Sequence, residues 1–295
     1  MSMLIRIGVI AHNTLLEALR QRVLNVLLLF GLVVIGGANF FSEFTFDEQF
    51  KFIKDFSLGA MTLIGVIISV VAVAQLLPSE VENRTLFTIL SKPVRRWEFL
   101  VGKYLGVAVL LFLVVALMGT VFGGVLFVKE KALVAQVQAE AGNSVLSGGT
   151  DPAQVDAVLK KIRVEAYDTR LVQAVILIYI KLLLVSAMAL FLSTIATSMI
   201  FTVIITSLLY IAGHLVEVAR NAMAGGEMQM KGVAALLLKV AVFFLPDMGA
   251  FSLVDDIVLG HSISWGQTGP VMVYGLLYTA VLLVAACGVF SSKEL

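Results

Sequence analysis

The stretch FSLGAMTLIGVIISVVAVAQLL, Phe56–Leu77, contains no Asp, Glu, Lys or Arg. A transmembrane helix needs about 20 apolar residues, because each residue rises about 1.5 Å and the hydrocarbon core is about 30 Å thick. A membrane strand would instead alternate apolar and polar residues, which this stretch does not do. Backbone polar groups find no water partners in lipid, so the stretch predicts one membrane-spanning α-helix.

Five further stretches meet the same requirement. Three of them contain no Asp, Glu, Lys or Arg, and the other two contain one lysine each, Lys103 and Lys181. The sequence therefore predicts an all-α integral membrane protein, with six transmembrane helices in a single domain over residues 1–295. The predicted spans are 23–41, 56–77, 99–128, 171–192, 195–216 and 270–290.

Composition agrees with the membrane class. The chain is 60% hydrophobic and 14% charged, whereas soluble domains are about 45–50% apolar and about 25% charged. A net charge of +1 gives no reason to expect a nucleic-acid partner. Cys287 is the only cysteine, which excludes a disulfide within the chain. The three histidines lie far apart in sequence, and no metal site is predicted.

Residues 1–22 are predicted to form an amphipathic helix in the membrane interface, the alternative being an ordinary cytoplasmic helix. Apolar residues recur there at helical spacing, and charged residues such as Arg6 and Glu17 interrupt the apolar core that a cleavable signal peptide needs. Farther on, Gly232–Leu245 is apolar but reaches only about 20 Å as a helix. It is predicted to be a re-entrant or interfacial segment on the outer side, before the sixth span.

Lysine and arginine residues near the span ends predict the orientation. Arg20 and Arg22 precede the first span, and a basic cluster lies between the second and third spans. This places the N-terminus, residues 78–98 and the C-terminus in the cytoplasm, in the cell inner membrane. The loop 129–170 also contains six basic residues, but long loops cross with less regard to charge. It is predicted to be extracytoplasmic, with helices over 129–141 and 152–167.

The segment PSEVENRTLFTILSKPVRRWEFLVGKYLG, Pro78–Gly106, carries the most local information. Ser79 and Glu82 have the spacing of a capping box, which predicts a helix that begins at Glu80. Pro93 predicts that this helix ends near Ser91. The helix has a charged face and an apolar face, followed by residues that anchor the next span at head-group level. The charged face is Glu80, Asn83 and Arg84, the apolar face Leu86, Ile89 and Leu90, and the anchors are Arg95, Arg96 and Trp97. On these residues alone, a contact for a soluble partner and a plain connector remain equal alternatives.

Three pieces of this segment, ENRT (Glu82–Thr85), LSKP (Leu90–Pro93) and RWEFLVGK (Arg96–Lys103), resemble the cytoplasmic segment of ABC-2 type ABC-transporter permeases. They are most similar to the permeases linked to multicopper-enzyme (nitrous-oxide reductase) maturation. The resemblance implies that residues 80–91 form a coupling helix on a separate ATPase subunit, and it implies a complex of two permease chains with two ATPases. The implied contact residues are Glu80, Glu82, Asn83, Arg84, Leu86 and Leu90.

The leading functional prediction is therefore a permease subunit of an ATP-driven exporter. The chain lacks the Gly-x4-Gly-Lys-Ser/Thr phosphate loop, so ATP and Mg²⁺ are expected on the partner ATPase and no cofactor is expected here. Further expected partners are lipid, a second permease copy and an accessory protein at loop 129–170. The alternatives are an ion-coupled carrier or channel and a membrane-embedded enzyme. An enzyme would need paired acids or a metal set inside the spans, which the spans lack.

Three polar residues in or beside the spans are candidates for the translocation path. Lys181 is predicted to lie about 18 Å from the inner edge of the fourth span, where a charge is costly and often functional. Its alternative is a side chain that extends to the interface. His214 and Glu217 lie about one helical turn apart at the end of the fifth span, where polar residues are cheap. The glycine pairs 102/106 and 119/123 predict close helix packing. Asp255, Asp256 and His261 are interpreted as a solvated loop rather than as a metal site.

Overall fold

A computed structural model describes residues 3–42, 49–82, 95–146, 152–166, 170–196, 198–224, 245–258 and 264–292. Every regular element in these ranges is helical, and six of the helices are long and apolar enough to cross a membrane. The prediction of an all-α integral membrane protein is confirmed. The helices are α1 (Met3–Leu19), α2 (Arg22–Ser42), α3 (Gln49–Glu82), α4 (Arg96–Leu146), α5 (Pro152–Ala166), α6 (Arg170–Ile195), α7 (Met199–Ala224), the 3-10 turn Gly249–Ser252, α8 (Leu253–Val258) and α9 (Trp265–Ser292).

The long helices run alternately up and down, which gives the bundle two ends. At the α1 end, Arg96 at the start of α4 donates to the carbonyl oxygen of Ser291 at the end of α9, at 3.2 Å. At the other end, called the α5 end here, Arg220 near the end of α7 pairs with Asp247 at 2.9 Å. Residues 225–244 therefore leave and rejoin the described chain at the same end of the bundle. The predicted re-entrant segment lies outside the described residues except for Leu245.

Helix α6 is the centre of the bundle. Ten consecutive residues, Lys181–Leu190, are buried, which is the pattern of a helix that is surrounded by other helices. Two tyrosines tie α6 to α4. Tyr104 donates a hydrogen bond to the carbonyl oxygen of Leu183 at 3.0 Å, and Tyr179 donates to that of Ala108 at 3.1 Å. Helices α3, α7 and α9 also pack on α6.

The structure corrects the predicted helix start at Glu80. Helix α3 runs without interruption from Gln49 to Glu82, so Ser79 lies within it and no new helix begins at Glu80. Pro78 removes only one backbone donor near the end of α3, whereas starting a separate helix requires a new and unfavourable nucleus. The later part of the predicted coupling helix, residues 83–91, lies outside the described residues.

Two helix boundaries differ from the predicted ones. Residues 129–141 are helical as predicted, but they continue α4, which extends to Leu146, and do not form a separate helix. At about 1.5 Å per residue α4 is about 75 Å long, so its last turns extend beyond a hydrocarbon core of about 30 Å. The fifth span was predicted to begin at Ile195, but Ile195 ends α6 and α7 begins at Met199.

Candidate functional site

Two places in the bundle bring predicted residues together, and the first is the junction of α1 with the start of α4. Glu98 and Lys103, in the first two turns of α4, are almost fully buried. Arg6 Nη2 lies 3.3 Å from Glu98 Oε1, and Lys103 Nζ lies 3.4 Å from Glu17 Oε2. Buried charges are tolerated when an opposite charge pairs with them, so these two contacts hold α1 against α4.

Glycines in α4 let α1 approach closely at this junction. A Cβ atom added at Gly102 would lie 2.8 Å from Ile10 Cβ, and one added at Gly106 would lie 2.6 Å from the carbonyl oxygen of Ala11. The predicted close packing of the 102/106 pair is confirmed. A Cβ atom added at Gly119 would meet only Val175, at 4.0 Å, and one added at Gly123 would meet nothing within 4 Å. The prediction for the 119/123 pair is wrong within the described chain.

The start of α4 is fastened in a second way. Arg96 Nη1 donates to the carbonyl oxygens of Phe290 and Ser291, at 3.5 and 3.2 Å, where a cation is favourable because helix α9 ends there. The rings of Phe99 and Phe290 stack with centroids 6.2 Å apart. Arg95 is exposed and Trp97 is half-buried. Their predicted role as interface anchors stays a prediction, whereas Arg96 has this additional contact with α9.

The candidate contacts with an ATPase adjoin the junction. Glu80 and Glu82 lie in the last turn of α3, and Arg95 directly precedes α4. Asn83, Arg84, Leu86 and Leu90 lie outside the described residues. Residues 83–94 thus connect the end of α3 to the start of α4, at the end of the bundle where α1 packs.

The second place is a cavity of about 490 Å³ in the bundle interior. It lies among α3, α6, α7 and the residues from Met248 to Val258, and Lys181 and His214 both line it. Lys181 Nζ is 3.1 Å from His214 Nε2, and His214 Nδ1 is 3.0 Å from the carbonyl oxygen of Tyr210. The Tyr210 ring centroid lies 5.5 Å from Lys181 Nζ. Lys181 is buried and reaches His214 on α7.

The hydrogen bonds of His214 define its chemistry. If Nδ1 carries the proton and donates to the carbonyl oxygen of Tyr210, Nε2 accepts from the Lys181 ammonium group. If instead one lysine proton moves to Nε2 while Nδ1 keeps its own proton, the imidazolium donates to a neutral lysine amine. The two arrangements differ by the position of one proton, and in both the pair carries one positive charge. Lysine and histidine together can therefore present a cation to the cavity.

Glu217 does not join this pair. Its side chain is exposed, and its carboxylate lies against Gly249, where an added Cβ atom would collide with Oε2. Its neighbour along α7, Arg220, binds Asp247 instead. Asp247 Oδ1 also accepts from the Ala250 backbone, at 3.2 Å, and its own N–H donates to Tyr274 Oη, at 2.8 Å. Asp247 therefore fastens the 3-10 turn to α7 and α9.

Sequence reasoning missed Tyr210 and Asp247. Tyr210 lies one turn before His214, a spacing that places the two residues on one helix face. No comparable signal marks Asp247, because its partners Arg220 and Tyr274 are distant in sequence. Among the described residues, no three His, Cys, Asp or Glu side chains are grouped so that they could hold a metal ion.

Comparison with known families then gives one match. The family described as "ABC-2 family transporter protein" matches residues 9–295. The chain belongs to this family. It is thus the membrane-embedded permease subunit of an ABC transporter and not an enzyme, and nucleotide is used by the partner ABC ATPase. A comparison with curated proteins gives no match.

Proposed function

We propose that this permease works in an exporter of the cell inner membrane and is driven by its ATPase through residues 80–91. In this proposal the α1 end is cytoplasmic, together with both chain termini, and two permease copies pair with two ATPases. Loop 129–170 is the contact for an accessory protein. The permeases of nitrous-oxide reductase maturation are the proposed relatives, on the basis of the motifs in residues 82–103.

One observation supports the proposed coupling between the ATPase and the bundle. Two nearly buried charges, Glu98 and Lys103, lie immediately after the connecting residues 83–94, and both pair with α1. Together with the glycine contacts, they make α1 and the start of α4 one packed unit. A partner that displaces residues 83–94 would therefore also move the start of α4 together with α1, because only Arg95 separates these residues from the beginning of α4 at Arg96.

Helix α3, which precedes residues 83–94, lines the cavity. Residues 83–94 are attached to the end of α3, and α3 supplies more cavity-lining residues than any other helix. They are Asp55, Leu58, Gly59, Thr62, Leu63, Val66 and Ile67. A displacement at the α1 end would thus shift one wall of the cavity. This links the proposed ATPase contact to the proposed translocation path, which includes Lys181, His214 and, at its α5 end, Glu217.

The test is co-purification of the ABC ATPase with the tagged permease from native membranes. One variant reverses the charges at Glu80 and Arg84, and the other replaces Leu86 and Leu90 by tryptophan. The matched control reverses Lys161 and Glu165, an exposed pair on α5 at 3.8 Å. Exposed charge pairs contribute only about 0–1 kcal/mol, so the tryptophan variant is expected to have the larger effect.

The expected result is loss of the ATPase, or ATP hydrolysis that no longer drives transport, in the two variants at residues 80–90. The α5 control is expected to recover the ATPase in full. All variants are first checked for normal membrane insertion. Full ATPase recovery and normal coupling in every variant would refute the contact. Residues 80–91 would then be a plain connector.

A further inference from the structure

The interior cavity is mostly apolar, and its polar lining residues are a cationic group, three hydroxyl residues (Thr62, Ser207 and Ser252) and Asp55. Apolar side chains from α3, α6, α7 and α8 form most of its wall. Lys181, Tyr210 and His214 form the cationic group described above. A volume of about 490 Å³ lies within the range of about 300–1,000 Å³ that is typical of small-molecule sites. The apolar wall residues are Leu58, Leu63, Val66, Ile67, Ile178, Ile211, Met248, Phe251, Val254 and Val258.

The cavity reaches the side of the bundle between α3 and α7. Leu63, Ile67 and Ile211 line it, and they are also exposed on the outer surface of these helices, by 62%, 39% and 57%. Gly59 lines the cavity as well and is exposed. The opening thus lies on the apolar flank of a membrane-spanning bundle, so a ligand that dissolves in lipid can reach it without first crossing water.

We propose that this cavity binds an anionic amphiphile, with its head group at Lys181 and His214 and its apolar body against α3 and α7. The proposal deepens the transport role proposed above by naming a substrate class, and it rests on that role. Charge-assisted hydrogen bonds from an ammonium group are about twice as strong as those between neutral groups. The apolar body would bury the wall residues that are exposed at the opening, Leu63, Ile67 and Ile211.

A small hydrated anion fits the cavity less well. Such an ion gives up its water on entering a largely apolar space and recovers only the bonds that a few polar lining residues offer. An amphiphile gains from burial of its chain in addition to the same head-group bonds. Asp55 lines the cavity too and is exposed, and its carboxylate disfavours a second anionic group at that position.

Two substitutions with matched controls test the site. Gly59→Leu narrows the opening, because an added Cβ atom at Gly59 meets nothing within 4 Å and the helix can accept it. Gly36→Leu makes the same change at an exposed, equally open position on α2 that does not line the cavity. Lys181→Gln removes the head-group charge, and Lys131→Gln removes an exposed lysine on α4, away from the cavity.

The assay is equilibrium binding to the full chain, without ATPase, in phosphatidylcholine nanodiscs, corrected with empty nanodiscs. The probes are radiolabelled decyl phosphate, decyl glucoside and inorganic phosphate. Decyl phosphate is expected to bind saturably and at least about tenfold more tightly than either other probe. Gly59→Leu and Lys181→Gln are each expected to weaken it about tenfold or more, whereas both controls bind like the unmodified chain.

Each other outcome overturns the proposal. Equal binding of inorganic phosphate would make the site one for small anions, and equal binding of decyl glucoside would remove the role of the Lys181–His214 pair. Equal binding of decyl phosphate to Gly59→Leu and Gly36→Leu would place the amphiphile outside the cavity. Because no ATPase is present, these failures leave the coupling role untouched, and loss of ATPase binding leaves this result untouched.

Discussion

The contact between α1 and α4 predicts an unequal response of two glycines on one helix. Alanine at Gly106 places a Cβ atom 2.6 Å from the carbonyl oxygen of Ala11 and 2.7 Å from Thr14 Cβ, so the α1 backbone must move. Alanine at Gly123 meets nothing within 4 Å. Overpacking costs about 1–3 kcal/mol, and replacing glycine by alanine inside a helix returns about 0.5–1 kcal/mol. We expect a net cost of about 1–2 kcal/mol for Gly106→Ala and a small gain for Gly123→Ala.

Hydrogen exchange of the α1 amides measures this difference, since it reports local opening of one element. A cost of about 1–2 kcal/mol corresponds to about 5- to 30-fold faster exchange in Met3–Leu19. In Gly123→Ala, exchange of the same peptide should equal that of the unmodified chain. Equal exchange in the two variants would refute the close approach of α1 to α4. It would also remove the premise that α1 moves together with the start of α4.

Three further changes probe the other contacts. Glu98→Gln removes the buried carboxylate that pairs with Arg6 on α1. It should destabilise the permease by about 1–2 kcal/mol, measured by thermal unfolding in nanodiscs. No change would show that the pair contributes nothing to stability. Asp247→Ala removes the acceptor of the 3-10 turn and should speed hydrogen exchange in residues 245–258 by about tenfold, and unchanged exchange there would contradict its fastening role. In an otherwise cysteine-free chain, single cysteines at Met230 and Ser264 should react with an impermeant reagent from the same side, whereas labelling from opposite sides would overturn the six-span topology.

The sequence was sufficient for the spans, because lipid leaves the backbone no alternative to the helix. Long runs without charge, such as Phe56–Leu77, therefore map directly onto helices. Gly102 and Gly106 were also recognisable, since glycine at a spacing of four presents a flat strip on one helix face. The helix ends were less predictable. The capping box at Ser79 is a local signal, and a helix that is already formed continues through such a signal at little cost.

The interior site could be predicted only in part. Lys181 is conspicuous because a charge in the middle of a span is costly, and that cost signals a compensating partner without identifying it. The partner is His214, which lies on another helix and at a span end that sequence alone interprets as interfacial. The same limit applies to Asp247, whose contacts come from α7 and α9. Contacts between helices depend on how the helices are rotated and staggered, which hydrophobic periodicity does not encode.

Helix α6 is joined to α4 beside the cavity by two hydrogen bonds. Tyr179 and Tyr104 attach α6 to α4 two residues before and two residues after Lys181, so Lys181 is held in place relative to α4. α4 in turn is joined to α1 by two ion pairs and to α9 by Arg96. The opposite wall is α3, whose last turn leads directly into residues 83–94. In the proposed coupling, a force applied at residues 83–94 would act first on α3, and through α3 on this wall of the cavity.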